Sequence, residues 1–512
     1  MINVNSNGVN SSDVNKDNQL RKQLVEILDR VSAVEDPWRP VFHLSPPVGL
    51  LNDPNGLAFY GGRYHMFYQW NPLACAHGAK YWGHVSSSNL IDWQHHPVAL
   101  TPAEDYESHG CYSGSAVVVN GVVNGVVNDD RLMFFYTGNV KKNDDSRESW
   151  QCLAELVVGG DKVIKSGPLF GIPEGYTRHV RDPKVWRQSD GRWAMVLGAQ
   201  TLSTQTGDEQ GKVLLYRSDD LHRWALVGEL TGSHHQGLGD FGYMWECPDL
   251  FTLQGHDVLM ACPQGLAAEG ERYRNVYQCG YFTGHFDEQA GTFSHGEFTE
   301  LDHGFEFYAP QTFEDDKGRR LLVGWMGVPE QDELSQPTIP YGWLHMMTLP
   351  RELVMVNGRL QQRVPVELMM LRKTMLLDGR FSGEQHISAA CECLLNVRNR
   401  PFTLNWRDSA ELSWDGERFL FTRLNWSSGL WEERVVRPEQ VDTVRIFHDH
   451  SSLEVFINGG ETVMTGRLFP KTKCLKGESL IIDLQIAEPL SMKVWELRSG
   501  FPDPMSAARD AT

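Results

Sequence analysis

The sequence contains no apolar run that approaches the roughly 20 residues needed to cross a bilayer. It also has no run of basic residues, and its formal net charge over 512 residues is −19. These absences exclude a membrane-spanning helix and the basic surface typical of nucleic-acid-binding proteins. The polar, Asn-rich start has no basic segment followed by an apolar one, so the sequence predicts no secretory signal. We expect neither a membrane nor a nucleic acid as partner.

The nine cysteines are scattered, odd in number and without a Cys-x-x-Cys pair. This distribution predicts free thiols and a cytoplasmic location rather than a disulfide framework. Cys247 lies beside Glu246 and is interpreted as a small packing residue rather than a nucleophile, because no partner histidine is evident. No metal-ligand motif accompanies the histidines at positions 84, 95–96 and 234–235. We therefore expect no metal site and no cofactor.

Three short segments place a carboxylate beside a proline, at residues 52–56, 181–183 and 245–249. Their acids are Asp53, Asp182 and Glu246, which lie 129 positions and 64 positions apart along the chain. One acid per repeat of about 64 residues, with one repeat between the first two acids, predicts this spacing. Acids placed in this way can meet on one axis, and two carboxylates at one point can break a glycosidic bond.

The N-terminal region of residues 1–37 is predicted to be disordered up to residue 16 and helical over 17–34. Its apolar residues recur at helical spacing, at positions 20, 24, 27, 28 and 31. Asp17 is a plausible N-cap, and the Asp36-Pro37 pair ends the helix. We expect the apolar stripe to pack against the main body.

The rest of the chain predicts an all-β protein. From residue 38 to 350, short apolar runs alternate with turn residues, and the segment at 88–93 recurs at 219–224. About 310 residues at this period give five units of about four strands, which predicts a five-bladed β-propeller. Residues 351–512 again contain short strands, without the Trp and Gly punctuation. They predict a C-terminal β-sandwich that ends in a short tail.

Each acid alone has a simpler interpretation. An aspartate between asparagine and proline is most often a turn former, which applies to Asp53. A structural ion pair with Arg181 explains Asp182 equally well. Glu246 is harder to dismiss, because burial beside Trp245 would raise the pKa of its carboxyl and suit a general acid. The common period of all three acids favours a catalytic role.

With these residues in place, the sequence resembles glycoside hydrolase family 32, the β-fructofuranosidases, over residues 38–500. The resemblance rests on Leu-Asn-Asp-Pro-Asn-Gly at 51–56, Phe-Tyr-Gln at 67–69, Trp-Gly-His at 82–84, Ser-Gly-Ser at 113–115, the two later acid segments, and segments at 302–311 and 451–459. Glu306 departs from the family pattern, in which aspartate is usual. The resemblance implies that Asp53 is the nucleophile, Glu246 the acid/base and Asp182 the residue that holds fructosyl hydroxyls and stabilises the transition state.

The resemblance also implies a set of sugar-binding residues and a substrate. The pocket would be lined by Asn52, Gln69, Trp82, Tyr112, Ser113, Arg181, Tyr308 and Trp325. Within the family, the chain is most similar to bacterial enzymes that hydrolyse sucrose 6-phosphate. A phosphate needs local cations in so acidic a protein, and the nearest candidates by sequence are Lys80, Arg178, Arg272 and Arg274.

The expected activity is therefore retaining hydrolysis of sucrose 6-phosphate or sucrose, with a small sugar as the partner. An exo-acting fructan hydrolase is an alternative, although a secreted polymer degrader would usually carry a signal. An inverting glycosidase and a non-catalytic sugar-binding propeller are further alternatives; the latter predicts loss of Asp53 or Glu246, and both are present. The sequence does not indicate an oligomeric state.

Overall fold

The computed structural model describes residues 11–30, 35–123, 126–143, 146–157, 162–406, 408–470 and 479–501. Strands dominate these ranges, which confirms the all-β prediction. The helical elements are α1 at Ser11–Asp29 and short 3₁₀ helices at Asp105–Glu107, Glu333–Ser335, Ile339–Tyr341 and Val366–Leu371. No helix in the described ranges is long and apolar enough to cross a membrane.

Five antiparallel sheets follow one another along the chain from residue 49 to 363. The first contains β1 Gly49–Tyr60, β2 Arg63–Asn71, β3 Tyr81–Ser87 and β4 Trp93–Leu100. The second contains β5 Cys111–Val123, β6 Val126–Lys141, β7 Arg147–Leu156 and β8 Val163–Phe170. The third contains β9 Val180–Arg187, β10 Trp193–Leu202, β11 Glu209–Ser218 and β12 Ala225–Gly232.

The fourth sheet contains β13 Met244–Leu253, β14 His256–Gln264, β15 Gly280–Asp287, β16 Thr292–His295 and β17 Thr299–Glu300. The fifth contains β18 Tyr308–Glu314, β19 Arg320–Trp325, β21 Arg351–Val356 and β22 Arg359–Arg363. The intervening β20, Trp343–Leu344, returns to the first sheet and pairs in parallel with β1.

The first strands of the five sheets contact one another in a closed circuit. β1 contacts β5, β5 contacts β9, β9 contacts β13, β13 contacts β18, and β18 contacts β1. Strands in the middle of a sheet are covered on both faces. Every residue of β3 is buried, and so is every residue of β2 except the first. Side chains at the start of all five first strands can therefore converge, as the spacing of the acids predicts.

The repeated segment noticed in the sequence has one structure in two sheets. Residues 88–92 join β3 to β4, and residues 219–224 join β11 to β12. Asn89 and Asp220 each accept backbone hydrogen bonds from the residues two and three positions later. Leu90 and Leu221 follow with φ of 67° and 68°. An Asx turn at the same place in two sheets confirms that the sequence echo reflects a structural repeat.

Two six-stranded sheets make up the C-terminal part. One has the order β23 Arg372–Phe381, β34 Leu490–Leu497, β25 Ala390–Asn396, β30 Thr443–Asp449, β31 Ser452–Ile457, β32 Thr462–Arg467. The other has the order β24 Gly383–Ser388, β33 Ser479–Gln485, β26 Phe402–Trp406, β27 Ala410–Trp414, β28 Phe419–Leu424, β29 Trp431–Val436. Both contribute to one hydrophobic core. Burial alternates along β26, β27 and β28, because only one face of that sheet meets this core.

Helix α1 begins earlier than predicted. It starts at Ser11, so the prediction of disorder up to residue 16 is wrong for residues 11–16, and Asp17 lies within the helix rather than at its N-cap. The Asp17 carboxylate instead accepts hydrogen bonds from Arg21 and Thr101. Leu24 is buried in the core of the first sheet, with Leu20, Ile27 and Leu28 against it. The predicted packing stripe is thus confirmed up to residue 28, and Val31 lies outside the described residues.

The fifth sheet extends to Arg363, beyond the predicted domain end at 350, because β21 pairs with β19 and β22 pairs with β21. A buried polar network joins this region to the C-terminal sheets. The fully buried Arg351 donates to Asp302 at 3.0 Å and to Glu454 at 2.6 Å. His43, just before the first sheet, lies between Glu454 and Asp449, with both N···O distances at 2.9 Å. Complementary buried charges therefore hold the two parts of the chain together.

Candidate active site

The first strand of each of the five sheets has an irregular register near its start. The irregularities fall between Leu51 and Pro54, Cys111 and Gly114, Arg181 and Lys184, Glu246 and Asp249, and Tyr308 and Gln311. A bulge re-aims side chains and locally ends the regular pairing. Asp53, Ser113 and Asp182 lie inside these bulges, and Glu246 and Tyr308 lie at their edges. The structure thus brings the predicted acids to the same end of neighbouring strands.

Asp53 is held by two hydrogen-bond donors. Asn52 Nδ2 donates to its Oδ1 at 3.1 Å, and the Ser113 hydroxyl donates to Oδ2. Burial raises the pKa of the Asp53 carboxyl and the charge of Glu246 adds to this effect, while the bond from Ser113 opposes it. The donors favour the ionised form and fix its orientation, as a nucleophilic carboxylate requires.

Glu246 accepts hydrogen bonds on both oxygens. Arg181 donates through Nη2 at 2.7 Å and Nε at 2.9 Å to Oε1. Gln264 Nε2 and the Tyr308 hydroxyl each donate to Oε2 at 2.8 Å. The expectation that Trp245 encloses Glu246 is wrong: Trp245 is fully buried and stacks on Phe282, because neighbours on a strand face opposite sides.

Asp182 is almost fully buried beside the other two acids, with φ of 66°. Burial raises the pKa of its carboxyl, Arg181 lowers it, and the charges of Glu246 and Asp53 raise it further. The backbone N–H of Cys247 donates to Asp182 Oδ2 at 3.0 Å. Because Arg181 directs its hydrogen bonds to Glu246, the interpretation of Asp182 as a simple ion-pair partner of Arg181 loses its support. We call Asp53, Asp182 and Glu246 the acid cluster.

Cys247 lies next to the acid cluster, but its thiol is poorly suited to be a nucleophile. Burial raises the pKa of this thiol well above its usual value, and the charges of Asp182, Asp53 and Glu246 raise it further. A protonated thiol is a weak nucleophile. The eight cysteines in the described ranges are all free, and Cys474 lies outside those ranges.

Five of the predicted pocket residues lie around the acid cluster. Asn52, Gln69, Ser113, Arg181 and Tyr308 surround the acids through the contacts given above or through one another. Trp82 does not line a pocket, and that prediction is wrong.

Trp82 is fully buried, packs edge-on against Phe134 and Tyr136, and donates its Nε1–H to the carbonyl of Tyr112. It therefore packs the first sheet against the second instead of presenting a face to a sugar. Trp325 is also buried, edge-on to Tyr308, and its indole N–H has no hydrogen-bond partner among the described residues.

The four cations predicted to bind a phosphate do not form one cluster. Lys80 is 3% exposed, and its Nζ donates to Asn52 Oδ1 at 2.8 Å, behind the nucleophile. Arg272 lies over the ring of Tyr273 at 4.6 Å, and Arg274 donates to the carbonyl of Gly270 at 3.3 Å. Neither of these arginines has a described contact with the acid cluster. Lys80 cannot act as an exposed phosphate ligand, since burial removes it from the surface.

Arg178 and Arg147 lie on a different side of the site, which we call the positive border. Burial lowers the pKa of His179 to about 4, and the charges of Arg181, Arg147 and Arg178 contribute to this shift. His179 Nδ1 is 3.0 Å from Arg181 Nη1, and Arg147 Nη1 is 3.4 Å from the Tyr112 hydroxyl. Arg178 and part of Arg147 reach the surface. Arg147 and Gln264 were not predicted, because neither lies in a recognisable motif.

Comparison with known proteins places these residues in a family. The model "Glycosyl hydrolases family 32 N-terminal domain" matches residues 43–364, and "Glycosyl hydrolases family 32 C terminal" matches residues 422–496. A sucrose-6-phosphate hydrolase of Bacillus subtilis is 45% identical over 469 residues, which are 89% of this chain and 94% of that protein. The corresponding protein of Salmonella typhimurium is 49% identical over 439 residues, 86% and 90% of the two chains.

Solved structures agree with the sequence relatives. A Bombyx mori GH32 beta-fructofuranosidase superposes with a TM-score of 0.81 at 34% identity, covering 95% of this chain and all of that one. A mutant of the same enzyme in complex with sucrose has a TM-score of 0.81 at 33% identity, covering 95% and 99%.

Proposed function

Because the chain belongs to glycosyl hydrolases family 32, we propose that it is a retaining β-fructofuranosidase that hydrolyses sucrose 6-phosphate and sucrose. The products are fructose and either glucose 6-phosphate or glucose. The observation that carries this proposal is the acid cluster, in which Asp53 and Glu246 interact electrostatically but have different hydrogen-bond partners. Two carboxyl groups with distinct environments suit a nucleophile and an acid/base.

In the first step, an Asp53 oxygen attacks the anomeric carbon of the fructosyl ring, and the bond to the glucosyl oxygen breaks. Glu246 transfers a proton to that oxygen as it leaves. Arg181 occupies Oε1 with two N–H donors, so the proton is best carried on Oε2. The Tyr308 hydroxyl faces Oε2 and can rotate from donor to acceptor. Burial and the charge of Glu246 raise the pKa of Tyr308 well above its usual value, so it keeps its own proton.

In the second step, Glu246 takes a proton from water, the resulting hydroxide attacks the anomeric carbon, and the ester bond to Asp53 breaks. Asp53 carries no charge while it is esterified. Asp182, whose pKa is raised by burial and by the charges of Glu246 and Asp53, would hold fructosyl hydroxyls.

The five sheets of residues 49–363 are best described as the blades of a five-bladed β-propeller, and the two six-stranded sheets as a β-sandwich. The closed circuit of first strands and the shared sandwich core support this description. We place the boundary between the domains after Arg363, where the fifth sheet ends. The free cysteines support a location in a reducing compartment such as the cytoplasm.

Recognition of the phosphate is assigned to Arg147 and Arg178. Glu246 must lie beside the glucosyl oxygen that it protonates, and the positive border adjoins Glu246 through Arg181 and His179. These arginines therefore lie on the leaving-group side of the pocket. Their local charge opposes the repulsion that a protein of net charge −19 exerts on an anion.

The mechanism is tested by following the first-formed fructose anomer by NMR, since retention yields the β-anomer and inversion the α-anomer. Asp53→Ala should lose at least a thousandfold in kcat with unchanged circular dichroism. In Glu246→Ala, azide should accelerate the breakdown of the fructosyl-enzyme, because azide needs no general base. A folded Asp53→Ala variant within tenfold of the wild type would rule out the nucleophile assignment.

Specificity is tested by measuring kcat/KM for sucrose 6-phosphate, sucrose and a fructan in parallel. Arg147→Gln and Arg178→Gln should lower the preference for sucrose 6-phosphate over sucrose at least tenfold when combined. Arg187→Gln, an exposed arginine at the far end of β9, is the matched control. An unchanged ratio in the double variant would place phosphate recognition elsewhere, and a fructan preferred over both sugars would favour the exo-fructanase alternative.

A further inference from the structure

The nucleophile Asp53 and three uncharged side chains form a closed hydrogen-bond ring. Asn52 Nδ2 donates to Asp53 Oδ1 at 3.1 Å and to Gln69 Oε1 at 2.8 Å. Gln69 Nε2 donates to Ser113 Oγ at 2.5 Å, and Ser113 donates to Asp53 Oδ2. Both oxygens of Asp53 thus receive a hydrogen bond from a ring whose other members are uncharged.

The direction of this ring is not fixed by its uncharged members. Asn and Gln amides can each turn over and exchange their donor and acceptor ends, and a hydroxyl can rotate. If Asn52 turned over, its oxygen would face the Asp53 carboxylate, and Gln69 would have to turn over as well. The Ser113 hydroxyl would then point toward Gln69, and Asp53 would lose both donors.

Lys80 fixes the orientation of the Asn52 amide. Its Nζ donates to Asn52 Oδ1 at 2.8 Å, and an ammonium group has no acceptor. The Asn52 oxygen must therefore face Lys80, which directs the Asn52 amide N–H groups toward Asp53 and Gln69. Each later group in the ring then has only one consistent orientation.

We propose that Lys80 is a positioning residue that sets the direction of the hydrogen bonds to Asp53, without touching the substrate. Asn52 lies between Lys80 and the nucleophile, and Lys80 is 3% exposed. The inference rests on the assignment of Asp53 as the nucleophile.

Burial and neighbouring groups act on the charge of Lys80 in opposite directions. Its Nζ is 3.1 Å from His77 Nδ1, and His77 Nε2 is 3.1 Å from Glu333 Oε1. Burial lowers the pKa of Lys80 to about 7, while the charges of Asp53 and Glu333 raise it. Asp53 in turn is influenced by Glu246, which raises its pKa, and by Lys80, which lowers it. Removal of the Lys80 charge should therefore raise the pKa of Asp53.

The first test compares Lys80→Met with Lys212→Met. Lys212 is an equally buried lysine on β11 that donates to the Ser233 carbonyl at 3.0 Å and has no described contact with the acid cluster. Lys80→Met should lose at least thirtyfold in kcat on sucrose with less than a threefold change in KM. The acidic limb of its kcat/KM profile should move to higher pH by at least half a unit, because Asp53 becomes easier to protonate.

Lys212→Met should keep the wild-type pH profile, even if its melting temperature falls as far as that of Lys80→Met. Lys80→Gln removes the same charge with a polar side chain, and should show the same pH shift if the methionine variant does not fold. A Lys80 variant whose pH profile and kcat match those of Lys212→Met would overturn the proposal.

The second test is a double-mutant cycle with Asn52→Leu. If Lys80 acts through Asn52, the double variant should be no more than threefold slower than the slower single variant. Multiplied losses would show that Lys80 acts by another route and would also overturn the proposal. Asp53→Ala separates the two levels of inference: activity in that variant refutes the nucleophile assignment, whereas its inactivity beside a normal Lys80→Met refutes only the role of Lys80.

Discussion

The buried His43 makes the stability of this protein depend on pH in a predictable direction. Its two ring nitrogens each lie 2.9 Å from a fully buried carboxylate, Asp449 on β30 and Glu454 on β31. Burial opposes the charged imidazolium, but these two partners outweigh it and raise the pKa of His43 from 6.5 to about 9. Asp449 also accepts backbone N–H groups of residues 41, 42 and 43, so the histidine and Asp449 together hold the entry to the first sheet against the C-terminal sheets.

The sign of the effect follows from proton binding. Between pH 6.5 and 9 the folded chain holds the His43 proton and the unfolded chain does not, so stability falls as pH rises through this window. A raised pKa contributes its full stabilisation below 6.5. A shift of this size corresponds to about 3 kcal/mol, at 1.36 kcal/mol for each pKa unit. Asp449 and Glu454 have lowered pKa values, so they remain ionised throughout the window.

The measurement is urea unfolding of the wild type and His43→Gln at several pH values from about 6 to 9.5. The wild type should be more stable at pH 6, and its advantage should shrink by about 3 kcal/mol on reaching pH 9.5. His222→Gln, at an exposed histidine, should follow the wild-type curve. An advantage that stays constant within about 0.5 kcal/mol across the range would refute the reasoning.

Two further predictions concern the site and its support. Tyr308→Phe removes the 2.8 Å donor to Glu246 Oε2 and should lower kcat on sucrose tenfold to a hundredfold, or about 1.4–2.7 kcal/mol, with little change in KM; equal kcat in the two enzymes would contradict the role of Oε2. Gly114→Ala would place a Cβ 2.0 Å from the Phe135 carbonyl oxygen, and should lower stability by about 3 kcal/mol or prevent folding. Gly379→Ala meets nothing within 4 Å and should be neutral, so similar unfolding midpoints for the two variants would contradict the packing argument.

The spacing of Asp53, Asp182 and Glu246 was enough to predict a repeated unit and a common meeting point. The predicted unit between the first two acids is the second sheet, whose first strand supplies Ser113. This success has a physical basis, because a strand that begins each sheet returns to the same axis after a nearly constant length of chain. The apolar stripe of α1 was readable for a similar reason, since helical periodicity depends only on local geometry.

Partners that depend on pairing between strands were not readable. Gln264 reaches Glu246 because β14 pairs with β13 in one particular register, which no local pattern encodes. Trp82 was misplaced because a tryptophan beside polar residues suits both a sugar platform and a packed layer. Lys80 lies two positions before Trp82 and was predicted to be a phosphate-binding cation, whereas the chain turns it inward toward Asn52.

The five bulges have a consequence for how this protein can change over evolutionary time. Each presents a side chain to the same region from a similar backbone shape, so a new specificity requires only a substitution at one of these positions. A single-residue insertion or deletion in a first strand has a different outcome, because it reverses which side chains face the neighbouring sheets and which face the centre. Variation among descendants of this chain should therefore be rich in exchanges at the bulges and nearly free of length changes within the first strands.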